Sequence, residues 1–165
     1  MKILVVSDTH GKTGLLQEVL EKHKDIDVKI HCGDSELSAD ALILSGFHIV
    51  EGNCDARGQF QDEQIVEAED IKIFISHGHL YKVKQTLLPI SLRAKEVGAK
   101  IVCFGHSHFL GVEEKEGIIY LNPGSLNFPR GRKEGTYAII EIMENIKISY
   151  WCETHEKLYD FQFSK

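Results

Sequence analysis

Apolar and polar positions follow two different periods along this chain, and the change between them divides it. The stretch 3–11, ILVVSDTHG, opens with a continuous apolar run that breaks off into Ser7, Asp8, Thr9, His10 and Gly11. An unbroken run of this kind predicts a strand buried on both faces. Residues 12–24 then switch to helical spacing, with Leu15, Leu16, Val19 and Leu20 on one face and Gln17, Glu18, Glu21 and Lys22 opposite. A second strand is expected at 28–32, a helix from Ser38 to about Ser45 stopped by Gly46, and a third strand at 47–51. The order βαβαβ implies parallel strands joined by right-handed crossovers.

Strands are also predicted at 64–69 and 71–76, then a helical region at 83–97 stopped by Gly98. Pro89 lies inside that region, which calls for a break or for a helix that starts there. A strand at 101–104 follows, and beyond it the helical period disappears. Residues 110–114, 118–121, 136–143 and 146–151 all read as strands, with turns at Glu116-Gly117, Pro123-Gly124 and Glu144-Asn145. Two packed sheets with helices outside would bury both patterns. No linker or low-complexity segment interrupts the chain, so 1–165 is expected to be one α/β domain.

Composition narrows the function classes. The 165 residues carry a formal net charge of −6, and no Lys/Arg block is dense enough to track a nucleic-acid backbone. Extended nucleic-acid binding is therefore not expected, and a nuclease is disfavoured. No apolar run approaches membrane-spanning length. The four cysteines form no C-x-x-C pair, and Cys32, Cys103 and Cys152 sit in apolar runs. A reducing, cytoplasmic setting is expected.

The chemistry lies where the strands end. Asp8-Thr9-His10-Gly11, Gly33-Asp34, Gly52-Asn53, His77-Gly78 and Gly105-His106-Ser107-His108 each follow an apolar run. In α/β sheets ligands bind at that end. Asp8 and His10 are two residues apart, so in an extended segment their side chains would share a side. The candidate metal ligands are Asp8, His10, Asp34, Asn53, His77, His106 and His108, too many for one tetrahedral ion and suited to two that share a carboxylate and a water. Carboxylate, amide and imidazole donors without thiolate favour Mn, Fe, Ni, Co or Zn over Mg or Ca. Two such ions, roughly 3.5–4 Å apart, can hold a hydroxide and both oxygens of an in-line displacement at phosphorus.

These motifs, in this order, resemble those of the calcineurin-like metallophosphoesterases, and the resemblance covers residues 2–151. The short length and Asn122-Pro123-Gly124-Ser125 look like the small bacterial and archaeal YfcE-type phosphodiesterases. The resemblance implies a four-layer α-β-β-α sandwich of two mixed sheets and a dinuclear site, with manganese the first expectation. By position, Asp8, His10, Asp34 and His108 would hold one ion and Asp34, Asn53, His77 and His106 the other, with Asp34 bridging. His79 would lie beside the site, as a substrate contact or as a residue that supports a ligand. Many family members carry a histidine, thought to protonate the leaving group, where this chain has Cys54. Cys54 is read either as a proton donor in its place or as a packing residue that donates nothing, and the loss of the histidine implies a preference for good leaving groups.

The expected function is metal-dependent hydrolysis of a small phosphodiester, with a homo-oligomer allowed. The competing function is a binding scaffold, since the small subunit of the eukaryotic retromer complex resembles this family and also lacks that histidine. Among the remaining residues, His31 is read as orienting a ligand or as a buried histidine with a backbone partner. Asp55 is read as a hydrogen-bond partner of a ligand. Arg130 and Arg132 are read as phosphate contacts, subunit contacts or solvated loop residues. His23, His48 and His155 are assigned no chemistry, and Trp151 is assigned to the core.

Overall fold

In the computed structural model, which describes residues 1–165, β1 (Lys2–Val6) lies inside a six-stranded sheet. It pairs in parallel with β2 (Val28–His31), which pairs in parallel with β3 (Phe47–Ile49). On its other side stand β9 (Thr136–Ile142), β10 (Asn145–Cys152) and β11 (Lys157–Ser164), all antiparallel to their neighbours. The second sheet runs β4 (Glu63–Ala68), β5 (Ile71–Ser76), β6 (Ile101–Cys103), β8 (Ile118–Pro123) and β7 (Leu110–Lys115). Here β5, β6 and β8 are parallel, and the two edge strands are antiparallel.

Residue alternation builds the layers. In β1, Ile3 and Val5 enter the core between the sheets, while Leu4 and Val6 pack with Leu16 and Val19 of α1 (Gly14–Lys22). In β5, Ile73 and Ile75 face inward, while Phe74 packs with Ile90 and Ala94 of α2 (Leu88–Val97). A strand covered on both faces has no position left for a polar residue, which is why the run from Ile3 to Val6 is apolar throughout. Each such side chain contributes about 1.5–3 kcal/mol by leaving water. The result is the four-layer α-β-β-α sandwich of two mixed sheets that was expected.

The parallel strands fix where chemistry can occur. Their carboxyl ends lie along one rim of each sheet, and sheet packing presses the two rims together. A Cβ on Gly33, at the end of β2, would stand 2.9 Å from Nδ1 of His77, at the end of β5. A Cβ on Gly105, after β6, would stand 2.0 Å from Oγ of Ser7, after β1. Only glycine permits this approach.

Two expectations are corrected, and the alternatives at Pro89 are decided in favour of a helix that starts there. The helix expected from Ser38 is a 3₁₀ turn at Leu42–Leu44. Ala41, Leu44 and Ser45 each donate to the carbonyl three residues back, and the Ser38 hydroxyl binds Asp40 instead of capping a helix. Eight residues are too few to repay helix nucleation without a fuller apolar face. The second helix begins only at Leu88, with Pro89 in its first turn, where a missing N–H costs nothing. Residues 78–87 form turns anchored by Gly78. Finally, β11 lies in a tail with no predicted strand. Its alternation of Tyr159, Phe161 and Phe163 with Asp160 and Gln162 carried the signal. The Glu116-Gly117 turn forms as expected, both residues taking positive φ (53° and 77°) between β7 and β8. No helix is long and apolar enough to cross a membrane.

Candidate metal centre

Where the rims meet, the expected ligands form two triads, and His10 also groups with Glu36 and Cys54. Asp8, His10 and His108 are one, and Asp8, Asp34 and His77 the other, with the ligand atoms of each within 4.8 Å of one another. Oδ1 of Asp8 lies 3.2 Å from Nε2 of His108, and 4.0 Å from Nε2 of both His10 and His77. Nε2 of His77 is 3.3 Å from Oδ2 of Asp34.

Backbone torsion creates this convergence. Asp8, His10, Asp34, His106 and His108 all have φ between 46° and 66°. Asp8 and His10 therefore meet through two left-handed bends, and not through the extended alternation that the sequence suggested. Left-handed backbone costs each of these residues about 1–2 kcal/mol. Hydrogen bonds across the strand ends hold the bends, from the N–H of Asp8 to the carbonyl of Gly33 and from that of His10 to the carbonyl of Asp34, each at 3.0 Å.

The imidazoles are oriented alike. Nδ1 of His77 donates to the carbonyl of Cys32 at 2.7 Å, Nδ1 of His108 to the carbonyl of Phe128 at 2.7 Å, and Nδ1 of His10 to Oε1 of Glu36 at 3.1 Å. A neutral imidazole carries one N–H, so each Nε2 presents a lone pair to the centre. Nε2 of His10 and of His108 face each other at 3.4 Å. Oδ1 of Asp8 and Nε2 of His77 are buried and have no hydrogen-bond partner. Lone pairs and carboxylate oxygens gathered at this range repel one another unless cations lie among them. Histidines whose other nitrogen donates to a carbonyl or carboxylate are the usual form of metal ligand. The donor set fits divalent transition ions.

The electrostatics agree. Burial would raise the carboxyl of Asp8, but His108, His77 and the Ser7 hydroxyl hold it below the usual range. Burial acts likewise on Asp34, and His77 with the Cys54 N–H holds it well below the carboxylate norm. Burial lowers His77, and Asp34 and Asp8 more than reverse that. The Asp8 carboxylate holds His108 up against the opposing effect of burial. His106 falls to about 4 through burial and the charge of His77.

The other expected ligands stand at the rim. The ring of His106 is 5.1 Å from that of His77, and the backbone N–H of His106 donates to Oδ2 of Asp8 at 3.2 Å. Asn53 is exposed, with its amide donating to Sγ of Cys54 at 3.2 Å. Cys54 is also exposed, and its backbone N–H holds Oδ1 of Asp34 at 2.7 Å. Burial and Asp34 push the Cys54 thiol up to about 12. The His79 ring lies 5.3 Å from that of His77, its Nδ1 is buried without a partner, and burial and the charge of His77 lower its pKa.

A supporting layer surrounds these side chains. Asp55 accepts from the backbone N–H groups of Asp34, Glu36 and Gly52 and from the Ser35 hydroxyl, at 2.7–2.9 Å. It thus positions the backbone of Asp34, not its carboxylate. A Cβ on Gly52 would fall 2.3 Å from the Asp34 nitrogen. His31 is fully buried, accepting at Nδ1 from the Gly33 N–H and donating at Nε2 to the Thr9 hydroxyl. Sequence reasoning missed Glu36, Ser7 and the Phe128 carbonyl. Ser7, next to the first strand end, was the one of the three with a signal.

The comparisons with known proteins are consistent with this centre. A family model described as the calcineurin-like phosphoesterase superfamily domain matches residues 1–145. The chain is 40% identical to the probable metallophosphoesterase YsnB of Bacillus subtilis, covering 98% of this chain and 97% of that one. It is 30% identical to the phosphodiesterase MJ0936 of Methanocaldococcus jannaschii, over 75% of this chain and 83% of that one. Among solved structures, a predicted phosphoesterase of Streptococcus pneumoniae superposes with TM-score 0.93 at 32% identity, covering 99% and 97% of the two chains. A Vps29 variant of Entamoeba histolytica shares the fold with TM-score 0.82 at 20% identity, covering 100% and 99%.

Two consequences are measurable. Asp55→Asn would turn one acceptor oxygen into a donor facing backbone N–H groups, and should weaken divalent-metal affinity by about 10- to 100-fold. Calorimetric titration reads this, and unchanged affinity would remove Asp55 from the supporting layer. Burial lowers His31 from 6.5 to about 4. Falling pH therefore protonates the unfolded chain first, and stability is lost as pH drops from about 6.5 towards 4. The His31 share of that loss should reach about 2 kcal/mol by pH 5. Urea midpoints at pH 7.5 and pH 5 should lie closer together in His31→Gln than in the wild type, and equal spacing would contradict the assignment.

Proposed function

The chain belongs to the calcineurin-like phosphoesterase superfamily and is a phosphoric ester hydrolase, and we propose that it cleaves small phosphodiesters with two divalent ions. The observation that carries the metal requirement is the buried, unpartnered Oδ1 of Asp8 facing three imidazole nitrogens. Asp8, His10, Asp34 and His108 would hold one ion and Asp34, Asn53, His77 and His106 the other, with manganese the first candidate. The triads meet at Asp8, while the bridging role of Asp34 rests on the order of the motifs. When bound, such ions draw charge from the phosphoryl oxygens and acidify a water held between them.

The protein's own part is to hold and orient. His10, His77 and His108, locked by Glu36, Cys32 and Phe128, keep their Nε2 atoms aimed without reorganisation. His79, with an unpartnered Nδ1 beside the centre, is the residue available to a substrate oxygen. Support for diesters over monoesters comes from the name of the archaeal relative and from Cys54, which leaves no imidazole to protonate a poor leaving group. The scaffold reading draws on the Vps29 likeness, which is one of fold. Against it, none of the expected ligand positions has been lost.

Metal-depleted protein reloaded separately with Mn²⁺, Co²⁺, Ni²⁺, Fe²⁺ or Zn²⁺ should hydrolyse bis-p-nitrophenyl phosphate, and Asp34→Asn should abolish this. Absence of turnover with every metal would favour the scaffold. Cys54→His should raise rates most for diesters with poor leaving groups, and an equal change across a leaving-group series would exclude missing proton donation as the reason for the preference.

A further inference from the structure

The connection from β8 to β9 folds back over the His10 and His108 side of the centre. Ser125 Oγ donates to the carbonyl of Asp8 at 2.8 Å, and Asn127 Nδ2 donates to that of Thr9 at 2.9 Å. The Phe128 carbonyl accepts from His108 Nδ1, and the Arg130 N–H donates to the His108 carbonyl at 3.1 Å. The loop backbone is thereby fixed to the strand ends that carry the ligands. A cleft of about 560 Å³ opens there, lined by His10, Glu36, His108, Phe128, Pro129 and Arg130.

Arg130 lines this cleft and Lys12 stands over the Phe128 ring that also lines it; neither has a carboxylate in ion-pair range, whereas neighbouring Arg132 is paired with Glu134, and the one carboxylate of the lining, Glu36, is hydrogen-bonded to His10 Nδ1. Lys12 is not loose. Its Nζ sits 4.4 Å from the centroid of the Phe128 ring, and that ring packs edge-on against His10 with centroids 5.3 Å apart. A cation–π contact of this kind holds an ammonium in place while leaving its hydrogens free to donate. In a chain of net charge −6, these two cations, one lining the cleft and one held against its Phe128 ring, give this region a local field that favours an anion. A planar guanidinium and a point-charge ammonium together suit the oxygens of a terminal phosphate.

We propose that Lys12 and Arg130 form a second phosphate subsite, so that the diester this protein cleaves carries a further phosphate monoester on the arm lying along Phe128–Arg130. This rests on reading the chain as a phosphodiesterase and narrows its substrate class. The diester phosphorus would occupy the metal centre, and the additional phosphate would reach the wall behind His10 and His108.

A matched pair of chromogenic diesters tests it, thymidine 5′-(p-nitrophenyl phosphate) with and without a 3′-phosphate. The wild-type protein should favour the 3′-phosphorylated diester in kcat/KM by about tenfold, and Arg130→Gln or Lys12→Gln should bring the ratio near one. No preference in the wild type, or variants that depress both substrates equally, would overturn the subsite. A second readout needs no turnover. Thymidine 3′-phosphate titrated into metal-free protein should shift the amide resonances of Lys12 and of residues 128–130, and should fail to do so in Arg130→Gln. If neither diester turns over with any metal, the phosphodiesterase reading falls, and the titration alone decides whether the wall binds phosphate. No shift in the wild type rejects it.

Discussion

A buried carboxylate oxygen with no donor is the constraint on which this molecule turns. Oδ1 of Asp8 is enclosed, and the three nitrogens nearest to it present lone pairs. Removing one partner of a buried charge ordinarily costs several kcal/mol. Here His108 and His77 supply that partner only so far as they are protonated. Protons can serve in part, which is why His77 and His108 are held above their ordinary values. Positive charge at the centre is thus required by the fold itself, and divalent ions meet that requirement with the donor atoms already aimed.

Aiming them has a cost that the surroundings offset. Five of the expected ligand residues sit in left-handed backbone, a region most side chains avoid. Asp55 compensates at Asp34 by accepting several donors from two chain segments at once. Gly52 and Gly105 compensate by having no side chain where the carboxylates of Asp34 and Asp8 lie. The strain and its supports occur together at the strand ends and are sparse in the body of the sheets, as expected where function and not packing sets the backbone.

The legible part of the sequence was what a strand's periodicity reports. Ile3 to Val6 and Ile71 to Ser76 announced strands covered on both faces, and the polar residues following them announced the rim. The change of period announced the mixed sheets. What was not legible depended on distant partners. Nothing near Glu36 indicates that it locks His10, and no sequence signal marks a carbonyl such as that of Phe128. The segment after Ser38 misled because local helical spacing was outweighed by tight turns and a fixed exit at Gly46. Strand β11 was overlooked for the opposite reason. Its alternation was present, but its aromatic residues stay largely exposed beside β10 and so resemble a solvated tail.

The two sheets contribute different chemistry to the centre. Loops after β1, β2 and β3 bring Asp8, His10, Asp34 and Asn53, which include every carboxylate among the expected ligands. Loops after β5 and β6 bring His77, His106 and His108, all of them imidazoles. The two expected ligand sets each draw on both rims, so an ion held as proposed would be shared between the sheets. A ligand that binds the assembled sandwich and not its separated halves stabilises the assembly by mass action. Metal affinity and sheet-to-sheet packing are therefore one linked quantity in this fold, and a change deep in the inter-sheet core can reach the chemistry by moving one rim against the other.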